Sequence, residues 1–489
     1  MTENHLQITN PELRKRISAF AAGLVHVVGI PHEDSNVLLL LNDGIEFLVA
    51  DMALASRSIP SFTLTSQSLL SPCLEEHTPS AIITEAEFLP QLLELVYDMK
   101  EGSHYPIIVV GEPKVRADQA ARLLKWEDVE RQGAQLPELP PIVSGECRYG
   151  CSEQSVHDRM QDPKQVFSVS FYASSTGELR GAQLTHENVT AGVAAVRTLL
   201  PPSGTISPLD TIVSAHSLST AYGRAVAYTA VFEGANFATF ASSKILDDAG
   251  FTLDIADIDS AKKYPVPSPT ILFLKPFHLS KLTSSILETA KKSSFVLYSM
   301  AWRHKLSGIM EGFTTKQSLW DRLVFDGARV AVMGEGAGTV RGVIVSGGPL
   351  ENQLLTPARI ALSVPLVNTY THPLVSGPVL ASHPLDLQTF PNEQPSSSSK
   401  SAAENYTFTY VASAGPPAVN VEAKLIEIDE DAVENGGDPV GTLFIRGPSV
   451  GVPLGAEEAS EEVWATTEDR ARVLPNGTFK VVVAEAKNI

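Results

Sequence analysis

Ser174, Ser175, Thr176, Gly177, Arg180 and Gly181, in the stretch FYASSTGELRG, are the residues of this 489-residue chain whose types and spacing best suit holding a phosphate. Hydroxyls and backbone N–H groups can converge there without bulky side chains in the way, and Arg180 supplies charge. No Gly-Lys-Ser/Thr follows at P-loop spacing. An ordinary polar turn between a strand and a helix has the same composition, so the loop alone leaves both readings open.

Other chemistries have weaker support. Cys147 and Cys151 in CRYGC lack a second ligand pair nearby, so no metal site is assigned, and three cysteines cannot form a disulfide framework. Gly334, Gly336 and Gly338 in VAVMGEGAGTV fail the dinucleotide spacing at Thr339 and read as a loop. A net charge of -19 excludes a nucleic-acid surface, which needs clustered cations. The most apolar run, NVLLLL, is too short to span a bilayer, and no early segment reads as a secretion signal. These features together predict a reducing, intracellular setting, cytoplasmic or peripheral on an organelle membrane.

The elements that must position the loop follow from hydrophobic periodicity. NVLLLL, SAIIT and YPIIVVG read as strands alternating with the helical NPELRKRISAFAAGLVHV and GIEFLVADMALASRS, the pattern of parallel βαβ units. After the loop, DTIVSAHS, ANFATF, PTILFLKP and GVIVSGG read as strands, with AYGRAVAYTAVFEG and one long stretch from HLSKL to WRHKL as helices. NEQPSSSSKSAAEN is a Ser-rich linker, and FTYVASAG, NVEAKLIEID, GTLFIRGP and TFKVVVA read as short strands. The expected organisation is a first αβ lobe with its linker at 1–165, a second αβ lobe with the phosphate-loop-like motif at 166–392, the Ser-rich linker at 393–404 and a β-rich subdomain at 405–489.

FYASSTGELRG followed by LTHEN resembles the phosphate-loop signature of the adenylate-forming, AMP-binding superfamily. DTIVSAHSLSTAYGR, SPTILFLKPFHLSKL, WDRLVFDGAR, VRGVIVSGGPL, GTLFIRGPSV and WATTEDRARVLPNGTFK are similar, in order, to later motifs of its long-chain acyl-CoA synthetases. The resemblance implies an α/β fold, the large N-terminal part of an adenylate-forming enzyme: two αβ lobes plus a β-rich subdomain, with the C-terminal lid absent. It implies ATP and AMP as ligands, a fatty acid or other carboxylic acid as substrate, and adenylate formation followed by thiol exchange. It places Gly347 and Gly348 in the adenine-pocket turn, Tyr370 on adenine, Asp469 on the ribose hydroxyls and Thr220 beside the acyl group.

Several positions depart from the family's pattern. Ser174 and Leu179 replace a Gly and a Pro of the loop, and Arg180 stands for a Lys, a fork in place of a point charge. His186 and Asn188 match, although a helix-start cap and a packing His explain them equally; Arg224 matches, although a helix-surface Arg is more often structural. Thr220 stands where the family has His. A residue is missing between Gly348 and Pro349. No Glu follows Tyr370, where the family's Mg²⁺ ligand lies, and Leu374 or Pro373 occupies its place. Ala484 and Glu485 stand near the hinge, and without a lid CoA is not expected to bind. The expected function is therefore a catalytically impaired relative that binds an acyl, nucleotide or protein ligand. The alternatives are an active long-chain ligase or adenylate-forming half-enzyme, and a structural subunit of a larger complex.

Overall fold

The computed structural model describes residues 7–31, 35–98, 106–112, 122–137, 139, 162–239, 268–388, 408–456 and 464–482. The CRYGC turn, the 393–404 linker and the positions of Ala484 and Glu485 lie outside them.

Eighteen strands are described. In chain order they are β1 Val37–Leu40, β2 Ser61–Leu64, β3 Ala81–Glu85, β4 Pro106–Val110, β5 Arg122–Lys125, β6 Val166–Ala173, β7 Leu179–Thr185, β8 Thr211–Ser214 and β9 Asn236–Thr239. They continue as β10 Ile271–Leu274, β11 Gly342–Val345, β12 Leu366–Tyr370, β13 Leu380–Ala381, β14 Glu422–Ile426, β15 Val440–Arg446, β16 Val452–Pro453, β17 Ala465–Val473 and β18 Phe479–Val482. They form an eight-stranded sheet (β16-β7-β6-β2-β1-β3-β4-β5), a six-stranded sheet (β13-β12-β11-β10-β8-β9) and a four-stranded antiparallel sheet (β14-β15-β17-β18).

The continuous apolar run of β1 is a central parallel strand covered on both faces. Val37 and Leu39 face a core with Phe20, Phe47 and Trp126, whereas Leu38 and Leu40 face Leu70, Leu74 and Leu89. The second sheet repeats the plan. Val343 and Val345 pack with Leu279, Ile286 and Phe325, while Ile344 meets Val226 and Tyr222 on the other face.

The fold differs from the sequence reading in several places. Residues 166–185, grouped by sequence with the second lobe, extend the first sheet, because β6 pairs with β2 and β7 with β6. The long helix is two, Pro276–Ser293 and Phe295–Met310, broken where extended Ser294 turns its Oγ to the Leu297 N–H. Gly336–Thr339 is a helical turn, not a loop. FTYVASAG makes isolated bridges in place of a strand, because its N–H groups bond the separate carbonyls of Leu350 and Phe479. Among the described residues no helix is long and apolar enough to cross a membrane.

Candidate functional site

The loop that the sequence singles out closes the β6–β7 hairpin; helix His186–Arg197 begins only after β7. This corrects the expected strand-to-helix turn. Its physical basis is the antiparallel ladder from Ala173↔Leu179 onward and Gly177 at φ +86°, a conformation that favours glycine. Ser174 is buried, and its Oγ accepts from the N–H groups of Thr176 and Glu178 at 3.3 and 3.1 Å. Its carbonyl accepts from the Gly177 N–H at 2.9 Å. Ser174 thus builds the turn, and its hydroxyl also meets Thr176 Oγ1 at 2.8 Å. Ser175 donates to Glu468 Oε2 at 3.1 Å, and Arg180 lies 3.5 Å from Glu178 and 3.9 Å from Glu468. Gly181 lies within β7, where a Cβ would meet Leu454 at 2.8 Å.

A cavity of about 180 Å³ opens beyond the carboxyl ends of parallel strands β11 and β12, where open α/β sheets place their ligands. Gly347, Gly348, Leu350, Thr369, Tyr370, Ala412 and Val481 are among its lining residues. Gly347 and Gly348 take φ +79° and +153°, and a Cβ on Gly347 would come within 3.3 Å of His216. The turn therefore depends on glycine for both conformation and space. Tyr370 is buried and donates its hydroxyl to the buried carboxylate of Asp469, whose N–H bonds Thr467 Oγ1 at 3.2 Å. Burial, then the charge of Asp469, pushes the Tyr370 phenol well above its ordinary value, so it remains a donor.

The structure thus gathers Gly347, Gly348 and Tyr370 in one cavity and ties Asp469 to it. Ser175 joins Glu468, the neighbour of Asp469, while Ser174, Thr176, Gly177, Arg180 and Gly181 belong to the hairpin. Thr220 is not among the cavity's lining residues. It caps helix Ala221–Glu233, accepting from the Gly223 N–H and donating to the Ser217 carbonyl. Arg224, in that helix, is buried and bonds Ser170 Oγ at 2.6 Å, with Asp51 at 3.6 Å. Asn188 completes a capping box with Thr185 and donates to the carbonyls of Pro448 and Val450. Leu374 is buried in the core shared with Leu443 and Phe479.

Sequence reasoning missed His216, which sits behind the cavity with Nε2 2.8 Å from buried Ser346 Oγ. Burial first, then Lys275 and His278, lowers it to about 3, so it is neutral. Its signal was a polar residue just past a buried strand end. Glu468 was also missed, although it lies between Thr467 and Asp469 in the motif-like stretch WATTEDRA.

Residues 3–452 match the profile of the AMP-binding enzyme family. The chain is 25% identical over 331 residues to long-chain-fatty-acid–CoA ligase 5 of Mus musculus, covering 65% of this chain and 42% of the relative. It is 22% identical over 492 residues to long chain acyl-CoA synthetase 6, peroxisomal, of Arabidopsis thaliana, covering 95% of this chain and 60% of the relative. A solved long-chain-fatty-acid–CoA ligase from Archaeoglobus fulgidus superposes with a TM-score of 0.61 at 13% identity, covering 99% of this chain and 78% of that one. The chain therefore spans 42% and 60% of the length of these two curated relatives, less than two thirds of either. Its fold is that of the adenylate-forming enzymes, and the chain belongs to the AMP-binding enzyme family.

Proposed function

We propose that this chain recognises an adenine nucleotide and a carboxylic acid, such as a fatty acid, but is impaired in ATP-driven adenylation. The cavity carries the proposal: Gly347, Gly348 and Tyr370 line it, Asp469 is joined to it, and none of its lining residues is a carboxylate. The first half of that observation suits a base and a ribose. The second leaves the cavity without a carboxylate ligand for Mg²⁺, which nucleotide sites usually hold through one or two carboxylates together with the phosphates.

Two local arrangements support impairment. Leu374, one of the two residues at the position of the family's Glu, is buried among apolar side chains. Both hydrogen-bonding roles of the Thr220 hydroxyl are used in capping its helix, and a hydroxyl cannot supply the imidazole that the family has there. Binding is supported by the preformed turn and the fixed Tyr370–Asp469 pair, which are in place before any ligand arrives.

The test is a thermal-shift titration with AMP, with ATP in the presence and absence of Mg²⁺, and with a long-chain fatty acid. It is paired with fatty-acid-dependent exchange of pyrophosphate into ATP. Ligands that bind the native state raise its melting temperature by mass action. The expected result is a concentration-dependent rise with AMP and with fatty acid, no added effect of Mg²⁺ on ATP, and exchange at background. A Mg²⁺-dependent rise with exchange above background would establish an active ligase. No rise with any of these ligands would remove the binding proposal and favour a structural subunit that assembles with a protein partner.

A further inference from the structure

The β6–β7 loop and the cavity are joined by one residue that neither reading above uses. Glu468 is followed by Asp469, which accepts the hydroxyl of the cavity's Tyr370, while Glu468's own carboxylate accepts the hydroxyl of Ser175 at 3.1 Å. Glu468 also lies 3.9 Å from Arg180, which Glu178 approaches to 3.5 Å, so the cation of the loop is shared between two carboxylates. Glu468 holds φ +61°, the left-handed region that favours glycine. Its N–H bonds Thr466 Oγ1 at 3.1 Å, and Thr467 Oγ1 bonds the Leu443 carbonyl at 2.9 Å, so β17 fixes the backbone that presents the carboxylate. Nearby, burial and then the charge of Glu468 push the Tyr172 phenol up to about 12.

A carboxylate on Ser175 and beside Arg180 does to the loop what a phosphate oxygen would do: it accepts from the hydroxyl and neutralises the guanidinium. We propose that Glu468 determines which anions the loop accepts, excluding polyphosphate by occupying Ser175 and Arg180 with the chain's own carboxylate. The discrimination is electrostatic. A polyphosphate must displace Glu468 and then lie against two carboxylates, whereas a nucleoside reaching only the cavity meets neither. This rests on the nucleotide reading in placing a phosphate-bearing ligand across cavity and loop, but the loop can be tested without the nucleoside.

Calorimetric titrations with inorganic tripolyphosphate, which probes the loop, and with adenosine, which probes the cavity, would be run on the wild type, Glu468→Gln, Glu468→Gly and the exposed control Glu187→Gln. Removing one exposed like charge corresponds to about a fivefold gain in affinity at moderate salt. Glu468→Gln and Glu468→Gly should therefore bind tripolyphosphate about fivefold more tightly, with a gain that shrinks as salt rises, and Glu187→Gln should not. Glu468→Gly should also melt no lower than the wild type, since glycine adopts φ +61° freely. No gain in either variant, with both folded, would overturn the proposal; a gain in Glu468→Gly alone would overturn its electrostatic basis. Absence of adenosine binding alongside a tripolyphosphate gain would refute the nucleotide reading and leave the role of Glu468 standing.

Discussion

Asp469 sits at the meeting point of two demands: its carboxylate is buried, and it takes the hydroxyl of Tyr370 at the edge of the cavity. Hydrogen bonds to a charged group contribute about 1.5–3 kcal/mol, so Asp469→Asn should weaken AMP binding at least roughly tenfold. Tyr370→Phe, which keeps the ring and removes one donor, should weaken it less. Calorimetry on both variants tests the proposed ribose role of Asp469 against the proposed stacking role of Tyr370, and equal losses would contradict the proposal. A second residue-level prediction concerns Asp210. Burial alone would raise its pKa, but hydrogen bonds from Arg341, Thr270 and Ser207 hold it at about 2. Arg341 grips both carboxylate oxygens at 2.9 and 2.8 Å. Arg341→Lys loses that fork and should cost about 1–3 kcal/mol in urea unfolding. That Tyr370, Gly347 and Gly348 would come together was legible in the sequence because residue type and motif order carry them, and all three line one cavity. His216 was not, because its importance comes from the Ser346 it meets 130 positions away.

At the scale of elements, the sequence showed the buried parallel strands well, since a continuous apolar run such as that of β1 has few other uses. It concealed β7, whose Leu-Arg-Gly-Ala-Gln-Leu-Thr lacks clean alternation because Gly181 is reserved for the close approach of Leu454. The single long helix was misread for a related reason. Ser294 interrupts the pattern with a cap and neither Pro nor Gly marks the break. Helix His186–Arg197 gives the sharpest prediction at this scale. Its Gly192 faces the turn after β12 so closely that a Cβ would lie 1.9 Å from the Ser376 carbonyl oxygen and within the reach of its side chain. That contact is backbone, which cannot swing away. Gly192→Ala should therefore destabilise by roughly 3 kcal/mol or more, despite the higher helix propensity of alanine. Urea denaturation measures it, and a neutral or stabilising result would show that the helix can shift from the turn.

For the whole molecule, acid stability follows from groups that the fold keeps neutral. Burial, with Lys275 and His278 adding repulsion, lowers His216 to about 3; burial, then Lys275 and Lys281, lowers His278 to about 4. An unfolded His titrates near 6.5, so below that value the unfolded chain binds protons that the folded chain refuses. The stability from these two groups is complete above about pH 6.5 and declines as pH falls toward their folded values. The loss is about 1.4 kcal/mol per pH unit for each group, or about 2 kcal/mol each between pH 7 and 5. Asp210 does not contribute in that window: its depressed pKa confers stability above about 3.8, lost only as the pH falls further toward 2. Glu85, raised by burial, works in the opposite direction. Urea midpoints at pH 7 and 5 should therefore fall for the wild type and fall less for His216→Gln, which removes one of several such titrations; His372, lowered by burial to about 4, acts in the same direction. An equal fall in both proteins would place the acid sensitivity elsewhere. Since His216 backs the Gly347 turn, its protonation in the native state would press on the cavity itself. With a folded value near 3, His216 stays neutral in the native state between pH 7 and 5, so its protonation should contribute nothing to any change of nucleotide affinity over that range.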